Sequence, residues 1–342
     1  MRVCVLGGGI NGFSCAVCIL EYFKIKGENV EVIVISEKFT PNTTGDGSAG
    51  LWGPYLLGDT SAAKVHQWSK GMHDFLENLW ISEDAGEAGI CLTPVIRVTT
   101  TDIPQADFWK DIVYGFKHLT QSQLDELNRN RAKKFKSGQQ FITFTSEPRK
   151  LLPYLMKRFQ SQGGRILKQK IENIYKFIEI ADYDVVINCV GLGALNILND
   201  KTMYPIRGQV SRVKAPWMYY VLLDDSDDGN YIIPNALTVV LGGTHQENNF
   251  NTSVCTKDKK FIIEGCKQII PALSQAQHLY DWVGLRPGRV SVRLELERFG
   301  EKLLIHNYGH GGSGVTLAWG CAQDVLNILE SALNIPKFKS KL

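Results

Sequence analysis

Three glycines near the start of the chain, Gly7, Gly9 and Gly12, have the spacing of a phosphate-binding turn. They follow five mostly apolar residues that predict a strand, and a helical pattern of apolar residues runs from Phe13 to Lys24. The first glycine permits the turn, the second lets a pyrophosphate approach bare backbone, and the third lets the helix pack on its strand. The helix start adds unpaired N–H groups and partial positive charge. The spacing predicts a bound dinucleotide, FAD or NAD; a structural βαβ unit with an empty turn is the alternative.

An acidic residue and a polar loop follow where such a nucleotide would continue. A second predicted strand, residues 30–35, is followed by Glu37, which is placed to bind a ribose hydroxyl. Residues 39–55 form a glycine-rich loop in which Thr43 and Thr44 can donate to phosphate oxygens. This pattern favours a loop that lines the cofactor over a plain surface loop.

The C-terminal part of the chain combines an arginine suited to a carboxylate with a second glycine-rich turn. Arg286 stands directly before Pro287, which predicts a stiff backbone at the start of a strand. Residues 303–322 predict a strand, a glycine loop and a helix whose positive end points back at the loop. A flavin located there would have its reduced form stabilised by this positive end, because reduced flavin carries negative charge whereas the reduced NAD ring does not. This feature favours FAD.

The elements between these motifs predict two kinds of structure. An amphipathic helix over Pro148 to Ser161 and a continuous apolar strand that reaches the glycines at Gly191 and Gly193 repeat the first region's pattern. Residues 204–283 contain short alternating strands that predict a mainly antiparallel sheet. The fold class is therefore α/β, with an FAD-binding Rossmann-like βαβ region interleaved with a mainly antiparallel-sheet substrate region. The expected cofactor region comprises 1–57, 142–196 and 284–342, and the expected substrate region comprises 58–141 and 197–283.

Composition excludes several other classes of protein. The 342 residues are 44% apolar and 21% charged with a net charge of +3, which predicts neither nucleic-acid binding nor membrane insertion. The eight cysteines have no repeating ligand spacing, so no metal site is expected, and Cys15 and Cys18 are read as small buried residues. The last three residues, Ser340-Lys341-Leu342, form a peroxisomal address, which predicts an import receptor as partner and the peroxisome matrix as location.

Nine motifs together resemble those of the FAD-dependent D-amino-acid oxidases, over nearly the whole chain. They are Gly7-x-Gly9-x-x-Gly12, Phe39-Thr-Pro-x-Thr-Thr, Ala49-Gly-Leu-Trp-x-Pro54, Asn188-Cys-x-Gly191, Arg207-Gly-Gln, Ala215-Pro-Trp217, Tyr231-Ile-Ile-Pro234, Leu285-Arg-Pro287 and His306-Asn-Tyr-Gly-His-Gly-Gly-x-Gly314. Within the family, Glu83 to Ile90 and Val283-Gly-Leu-Arg286 look more like the D-aspartate oxidase branch.

The resemblance implies roles for residues at the substrate. Arg286 would hold the substrate carboxylate, Tyr231 would hydrogen-bond to it, and the backbone of Ser313 would accept from the amine. Vertebrate D-aspartate oxidases use two further arginines for the side-chain carboxylate, and the matching positions here hold Asp224 and His245.

The resemblance also implies the residues that line FAD. The expected set is Gly7, Gly9, Ile10, Asn11, Gly12, Glu37, Lys38, Thr43, Thr44, Gly50, Leu51, Gly191, Gly311, Gly312, Ser313, Gly314 and Thr316.

The reaction implied by the resemblance is oxidative deamination of D-aspartate, and of D-glutamate, to the 2-oxo acid, ammonia and hydrogen peroxide. Hydride transfer from the substrate Cα to FAD would be followed by reoxidation with molecular oxygen. Three alternatives stay open: an oxidase of neutral D-amino acids, another FAD amine oxidase, and an FAD-binding protein without turnover.

Overall fold

A computed structural model describes residues 1–102, 108–129, 131, 133–226 and 229–333 of the chain. The Ser340-Lys341-Leu342 tail therefore lies outside the described residues. Within them the chain forms fifteen β-strands and nine α-helices. The strands are β1 Arg2–Leu6, β2 Glu31–Ser36, β3 Ile90–Thr99, β4 Tyr114–His118, β5 Ser137–Ser146, β6 Arg165–Lys168, β7 Val185–Asn188, β8 Met203–Lys214, β9 Val221–Asp224, β10 Tyr231–Pro234, β11 Val239–Gly242, β12 Gln246–Glu247, β13 Gln277–Arg289, β14 Arg293–Phe299 and β15 Lys302–Tyr308. The helices are α1 Ile10–Ile25, α2 Ala62–Trp80, α3 Ala85–Ala88, α4 Gln121–Asn128, α5 Pro148–Ser161, α6 Ile174–Ile180, α7 Ala194–Ile197, α8 Thr256–Ile269 and α9 Gly314–Ala332.

A six-stranded sheet carries the first and last parts of the chain. Its order is β14-β15-β7-β1-β2-β6, and all neighbours are parallel except β14 and β15. Strand β1 lies at its centre with three fully buried residues, which explains its nearly continuous apolar sequence. Helix α1 returns from β1 to the neighbouring strand β2, so the predicted βαβ unit is confirmed.

A nine-stranded, mainly antiparallel sheet forms the second layer. Strands β12-β8-β11-β10-β9-β3-β5-β4 follow in order and β13 also pairs with β8, with β3 and β9 as the parallel neighbours. One face packs into the main core together with helices α1 and α5, through residues such as Val210 and Ile233. The other face is covered by Ile262 and Cys266 of helix α8. The mixed α/β fold is confirmed.

The strands of the six-stranded sheet all lie in the three segments expected for the cofactor region. Strand β5 crosses the expected boundary at residue 142, and β13 crosses that at 284. The division into a cofactor and a substrate region remains a prediction. One local prediction is wrong: Arg286 lies near the end of the long strand β13, not at the start of a strand.

Two further observations bear on the predictions from composition. Among the described residues, no helix is both long enough and apolar enough to span a membrane. All eight cysteines are free thiols, and Cys15 and Cys18 are buried in helix α1 as expected.

Candidate active site

The glycine turn between β1 and α1 has two glycines fixed by packing and one that leaves open space. Gly7 has a φ of +111°, and a Cβ there would overlap the backbone of Cys189. A Cβ on Gly12 would overlap the Gly7 carbonyl oxygen. A Cβ on Gly9 would meet nothing within 4 Å, so the space above this residue is free for a ligand. The turn at Gly7 and the close packing at Gly12 are as expected, and the role of Gly9 at a pyrophosphate stays a prediction.

The start of helix α9 lies beside the start of helix α1. A Cβ on Gly314 would lie 3.7 Å from Asn11 Nδ2, which brings the two helix N-termini together. Asn11 Oδ1 is buried and lacks a hydrogen-bond partner within the part of the chain that the structure describes. Ile10 is buried at the same helix start. Two helix N-termini and an unpartnered amide oxygen suit a polar, negatively charged ligand.

The start of α9 is held to the loop after residue 50. Ser313 Oγ accepts from Tyr55 N at 2.6 Å and donates to Tyr55 O at 2.7 Å. One turn later, Thr316 Oγ1 accepts from Gly53 N at 3.2 Å and donates to Gly53 O at 3.1 Å. These side chains therefore position the helix end. The Ser313 carbonyl already accepts from Leu317 N at 3.0 Å, so a substrate amine there would be its second donor.

The predicted nucleotide-side residues follow strand β2. Glu37 and Lys38 come directly after the strand end, at the carboxyl edge of the parallel sheet. The Thr43 hydroxyl donates to Asp46 Oδ2 at 2.7 Å. The Thr44 hydroxyl lies 3.4 Å from the Leu285 carbonyl, which leaves it the weaker internal bond of the two.

The glycines expected at the flavin lie where their backbones approach other loops. Gly50, Gly191 and Gly311 have positive φ values of 77°, 55° and 52°. Leu51 forms an isolated bridge with Thr145 beside Gly50. A Cβ on Gly312 would lie against the Tyr55 ring. The predicted cofactor roles of these residues stay predictions.

Arg286 and Tyr231 lie together on the face of the nine-stranded sheet that meets the main core. The Arg286 guanidinium lies over Gly208, where a Cβ would overlap it, and its Nη1 donates to the Thr244 carbonyl at 2.9 Å. The Tyr231 ring lies over Gly242 in the same way. Burial raises the pKa of Tyr231, while the neighbouring Arg286 charge acts to lower it. The phenol is therefore a proton donor at neutral pH.

Tyr55 completes this group from the loop that holds α9. Burial raises its pKa, and the charges of Arg286, Tyr231 and Asp225 act on it in that order. One cation and two neutral phenols form a site that can bind a carboxylate with bidentate and single hydrogen bonds. Sequence analysis did not identify Tyr55 as a substrate contact, because no motif marks it as one.

Asp224 and His245, the two positions matched to the further arginines, are placed differently. Asp224 pairs in register with Val98, on the sheet face that helix α8 covers, and its carboxylate lies 2.7 Å from Lys133 Nζ. Asp224 therefore points away from Tyr231. The Lys133 side chain in this ion pair is 23% exposed. His245 is exposed and follows Thr244, whose carbonyl receives Arg286.

Two other histidines were not singled out by the sequence. His310 is buried within the glycine loop before α9, and burial lowers its pKa to about 4, so its imidazole is neutral. His73, Asp74 and Glu77 offer ligand atoms within 4.8 Å of one another. Both carboxylates of this group are already engaged, Asp74 by Lys70 and Glu77 by Tyr114.

These features suit one class of protein, a dinucleotide-binding enzyme with two glycine turns beside an arginine that can accept a carboxylate. FAD fits the site because the open space at Gly9, the two helix N-termini and the unpartnered Asn11 oxygen suit its pyrophosphate. A family model described as DAO, FAD dependent oxidoreductase, matches residues 2–327. The chain belongs to this family, and FAD is its cofactor.

Relatives and solved structures agree with this assignment. The chain is 39% identical to a D-amino acid oxidase of Dugesia ryukyuensis, over 97% of this chain and 98% of that protein. It is 35% identical to a D-aspartate oxidase of Homo sapiens, over 100% of this chain and 99% of that protein. The solved glycine oxidase of Geobacillus kaustophilus shares the fold, with a TM-score of 0.77 at 19% identity over 96% of this chain and 95% of that chain.

Proposed function

We propose that this protein oxidatively deaminates D-amino acids, with D-aspartate and D-glutamate preferred, to the 2-oxo acid, ammonia and hydrogen peroxide. The observation that carries the proposal is the group formed by Arg286, Tyr231 and Tyr55 next to the start of helix α9. It binds a carboxylate beside the turn where FAD fits. The relatives named D-amino acid oxidase and D-aspartate oxidase, at 39% and 35% identity over the full chain, support the substrate class.

The chain's own residues act mainly by orientation. Arg286 holds the substrate carboxylate with its planar fork, and the protonated Tyr231 adds a hydrogen bond. The carbonyl at Ser313 accepts a hydrogen bond from the substrate amine. The carboxylate and amine contacts together fix the orientation of the substrate Cα–H bond. Bound FAD would supply the hydride acceptor and would be reoxidised by oxygen to give hydrogen peroxide. Loss of the Cα hydride and of an amine proton converts the amino acid to an imine, and water hydrolyses the imine to the 2-oxo acid and ammonia.

A preference for acidic substrates needs a cation beyond Arg286. His245 is the candidate at the matching position, and it follows Thr244, whose carbonyl accepts a hydrogen bond from Arg286. The alternative, an oxidase of neutral D-amino acids, is favoured by Asp225, whose charge acts on Tyr55 and would repel a second carboxylate.

A substrate panel tests the proposal. Peroxide release is measured with D-aspartate, D-glutamate, D-alanine and the three L-enantiomers at equal concentrations. We expect turnover of the D-forms alone, with kcat/KM highest for the acidic pair. Turnover of L-forms or secondary amines would instead indicate another FAD amine oxidase. Bound flavin without peroxide from any substrate would indicate an inactive FAD-binding protein.

We further propose the peroxisome matrix as the location of the protein, on the basis of the terminal Ser340-Lys341-Leu342. Deleting these three residues should leave peroxide formation unchanged and redirect a fluorescently tagged protein to the cytosol. Retention of the truncated protein in peroxisomes would show that the address lies elsewhere.

A further inference from the structure

One row of side chains crosses the nine-stranded sheet on the face that carries Tyr231. Residues in direct register project to the same face of a sheet. Strand pairing places Arg97 opposite Leu223, and Leu223 opposite Tyr231. Gly242, which carries the Tyr231 ring, is the next member of the row. Arg97 therefore faces the same side as Tyr231, two strands or about 10 Å away along the sheet.

The Arg97 guanidinium has a buried amide oxygen and a carboxylate among its partners. Its Nη1 lies 3.3 Å from Oε1 of Gln139, a fully buried residue on the next strand of the row. Its Nε donates to the carboxylate of Asp225, in the loop after β9. The Arg97 side chain is 24% exposed, while that of Asp225 is 40% exposed. The arginine is thus held in place by the protein, and its carboxylate partner Asp225 is the more exposed member of the pair.

Asp225 also links Arg97 to the substrate group. Its negative charge acts on Tyr55, together with the charges of Arg286 and Tyr231. The Asp225–Arg97 pair therefore lies within electrostatic range of the site where Arg286 binds a carboxylate. A second carboxylate on the same ligand would extend from Arg286 along this row toward Arg97.

We propose that Arg97 determines the preference for acidic substrates by binding their side-chain carboxylate in place of Asp225. The inference deepens the proposed function, on which it rests. Asp225 occupies the position of the ligand in the free enzyme and moves to solvent when a dicarboxylate binds. The exchange replaces one carboxylate on the guanidinium by another, so Arg97 is not left as an uncompensated charge.

Two substitutions test this assignment because they should act in opposite directions. In Arg97→Gln, the ratio of kcat/KM for D-aspartate to that for D-alanine should fall at least tenfold. In Asp225→Asn, which removes the competing carboxylate, the same ratio should rise at least threefold. Arg165→Gln, at an exposed arginine on the other sheet, is the matched control and should change the ratio less than twofold. His245→Ala is measured beside them, and a smaller effect is expected because His245 is exposed.

Binding of unreactive acids separates this inference from the proposed function. Calorimetry on the holoenzyme compares succinate with butyrate, which has the same length and a single carboxylate. The succinate Kd should rise at least tenfold in Arg97→Gln, with the butyrate Kd changing less than threefold. Absence of peroxide from every D-amino acid would contradict the proposed function, while the succinate result would still decide the role of Arg97.

Three results would overturn the role of Arg97. They are equal succinate and butyrate affinity in the unmodified enzyme, an unchanged ratio in Arg97→Gln, and parallel loss of both substrates, which would indicate a structural role. If Arg97→Gln does not fold, Arg97→Lys and Asp225→Asn give the same comparison. Lysine retains the charge and loses the fork, so the ratio should then fall by a smaller factor.

Discussion

At the scale of single residues, the substrate site depends on glycines as much as on charged groups. The Arg286 guanidinium occupies space that a side chain at Gly208 would fill, and the Tyr231 ring does the same at Gly242. Both functional side chains therefore lie flat on bare backbone. This contact restricts their orientation, and for Arg286 the hydrogen bond to the Thr244 carbonyl adds to it.

Replacing Arg286 by leucine should remove most activity without removing the flavin. The change deletes one partner of a buried charge pair formed with the substrate, which costs about 3 to 5 kcal/mol. A decrease of at least about a hundredfold in kcat/KM is expected. The flavin absorbance of the purified variant checks cofactor content. A variant that keeps more than about a tenth of kcat/KM would contradict the assignment.

Tyr231 should remain a proton donor well into the alkaline range. Burial raises its pKa, so the neutral phenol, the form that donates to a carboxylate, persists above the ordinary value of about 10. Tyr231→Phe should lower kcat/KM roughly tenfold or more, the loss of a hydrogen bond to a charged group. The ratio of wild type to variant should be the same at pH 7 and pH 9.5. A ratio that collapses between these values would show that the phenol ionises early.

Sequence alone could propose Arg286 and Tyr231 as substrate contacts, because each stands in a recognisable motif. It could not identify Arg97, whose partners come from strands far apart in the chain. Nor could it show that Asp224 points away from Tyr231 while Asp225 points toward Arg97. Neighbouring residues of a strand face opposite sides, and which side is buried depends on the register of distant strands.

At the scale of elements, different glycines of the turn between β1 and α1 serve packing and the expected binding of the ligand. Gly12 is required by the fold itself, since any side chain there overlaps the Gly7 carbonyl. Gly9 has no such neighbour in the protein.

Gly9→Ala and Gly12→Ala should therefore have different consequences. Gly9→Ala should leave the unfolding free energy of the apoprotein within about 1 kcal/mol and weaken FAD binding at least tenfold. Gly12→Ala should lower the unfolding free energy by about 1 to 3 kcal/mol, the cost of overpacking. Chemical denaturation of the apoprotein and FAD titration provide the two measurements. Gly86→Ala, where a Cβ meets nothing within 4 Å, is the control. Equal destabilisation by the first two changes would contradict this division.

Local signals predicted some element boundaries well and others poorly. Helix α5 begins and ends as predicted because Pro148 starts it and Gly163-Gly164 follows it. Strand β3, by contrast, runs from Ile90 to Thr99 without a clear strand pattern over its whole length. Its first half contains Pro94 and lacks clear alternation, so its extended form depends on pairing with β5.

At the scale of the whole molecule, one buried ion pair joins the nine-stranded sheet to the start of helix α5, which leads into strand β6 of the six-stranded sheet. Arg212 of β8 lies 3.0 Å from the Glu147 carboxylate at the start of α5, and both side chains are almost fully buried. Arg212 also donates to the Ser48 carbonyl at 2.8 Å, in the loop expected to line the flavin. The nine-stranded sheet therefore directly supports the loop that is expected to line the flavin.

Removing either partner should destabilise the protein more than removing both. Arg212→Met or Glu147→Leu leaves a buried charge uncompensated and should cost about 3 to 5 kcal/mol of unfolding free energy. The double variant should be more stable than either single variant, because no unpaired charge remains. Thermal and urea unfolding of the holoenzyme give the comparison. Strictly additive losses would show that the pair does not act as a unit.

Strand β13 carries Arg286 and, one residue later, Pro287, whose carbonyl accepts from Gly311 N at 2.9 Å in the loop before α9. Arg286, which is proposed to bind the substrate carboxylate, and Pro287, which contacts the glycine loop before α9, are therefore joined by a single peptide bond. The residues proposed to select the substrate side chain, Arg97 and Asp225, by contrast lie in two separate segments, strand β3 and the loop after β9. Substitutions in those segments can change which amino acid is accepted while the spacing between Arg286 and the expected cofactor site stays constant. Substrate preference in such an enzyme can therefore change during evolution while the geometry of the reaction is kept.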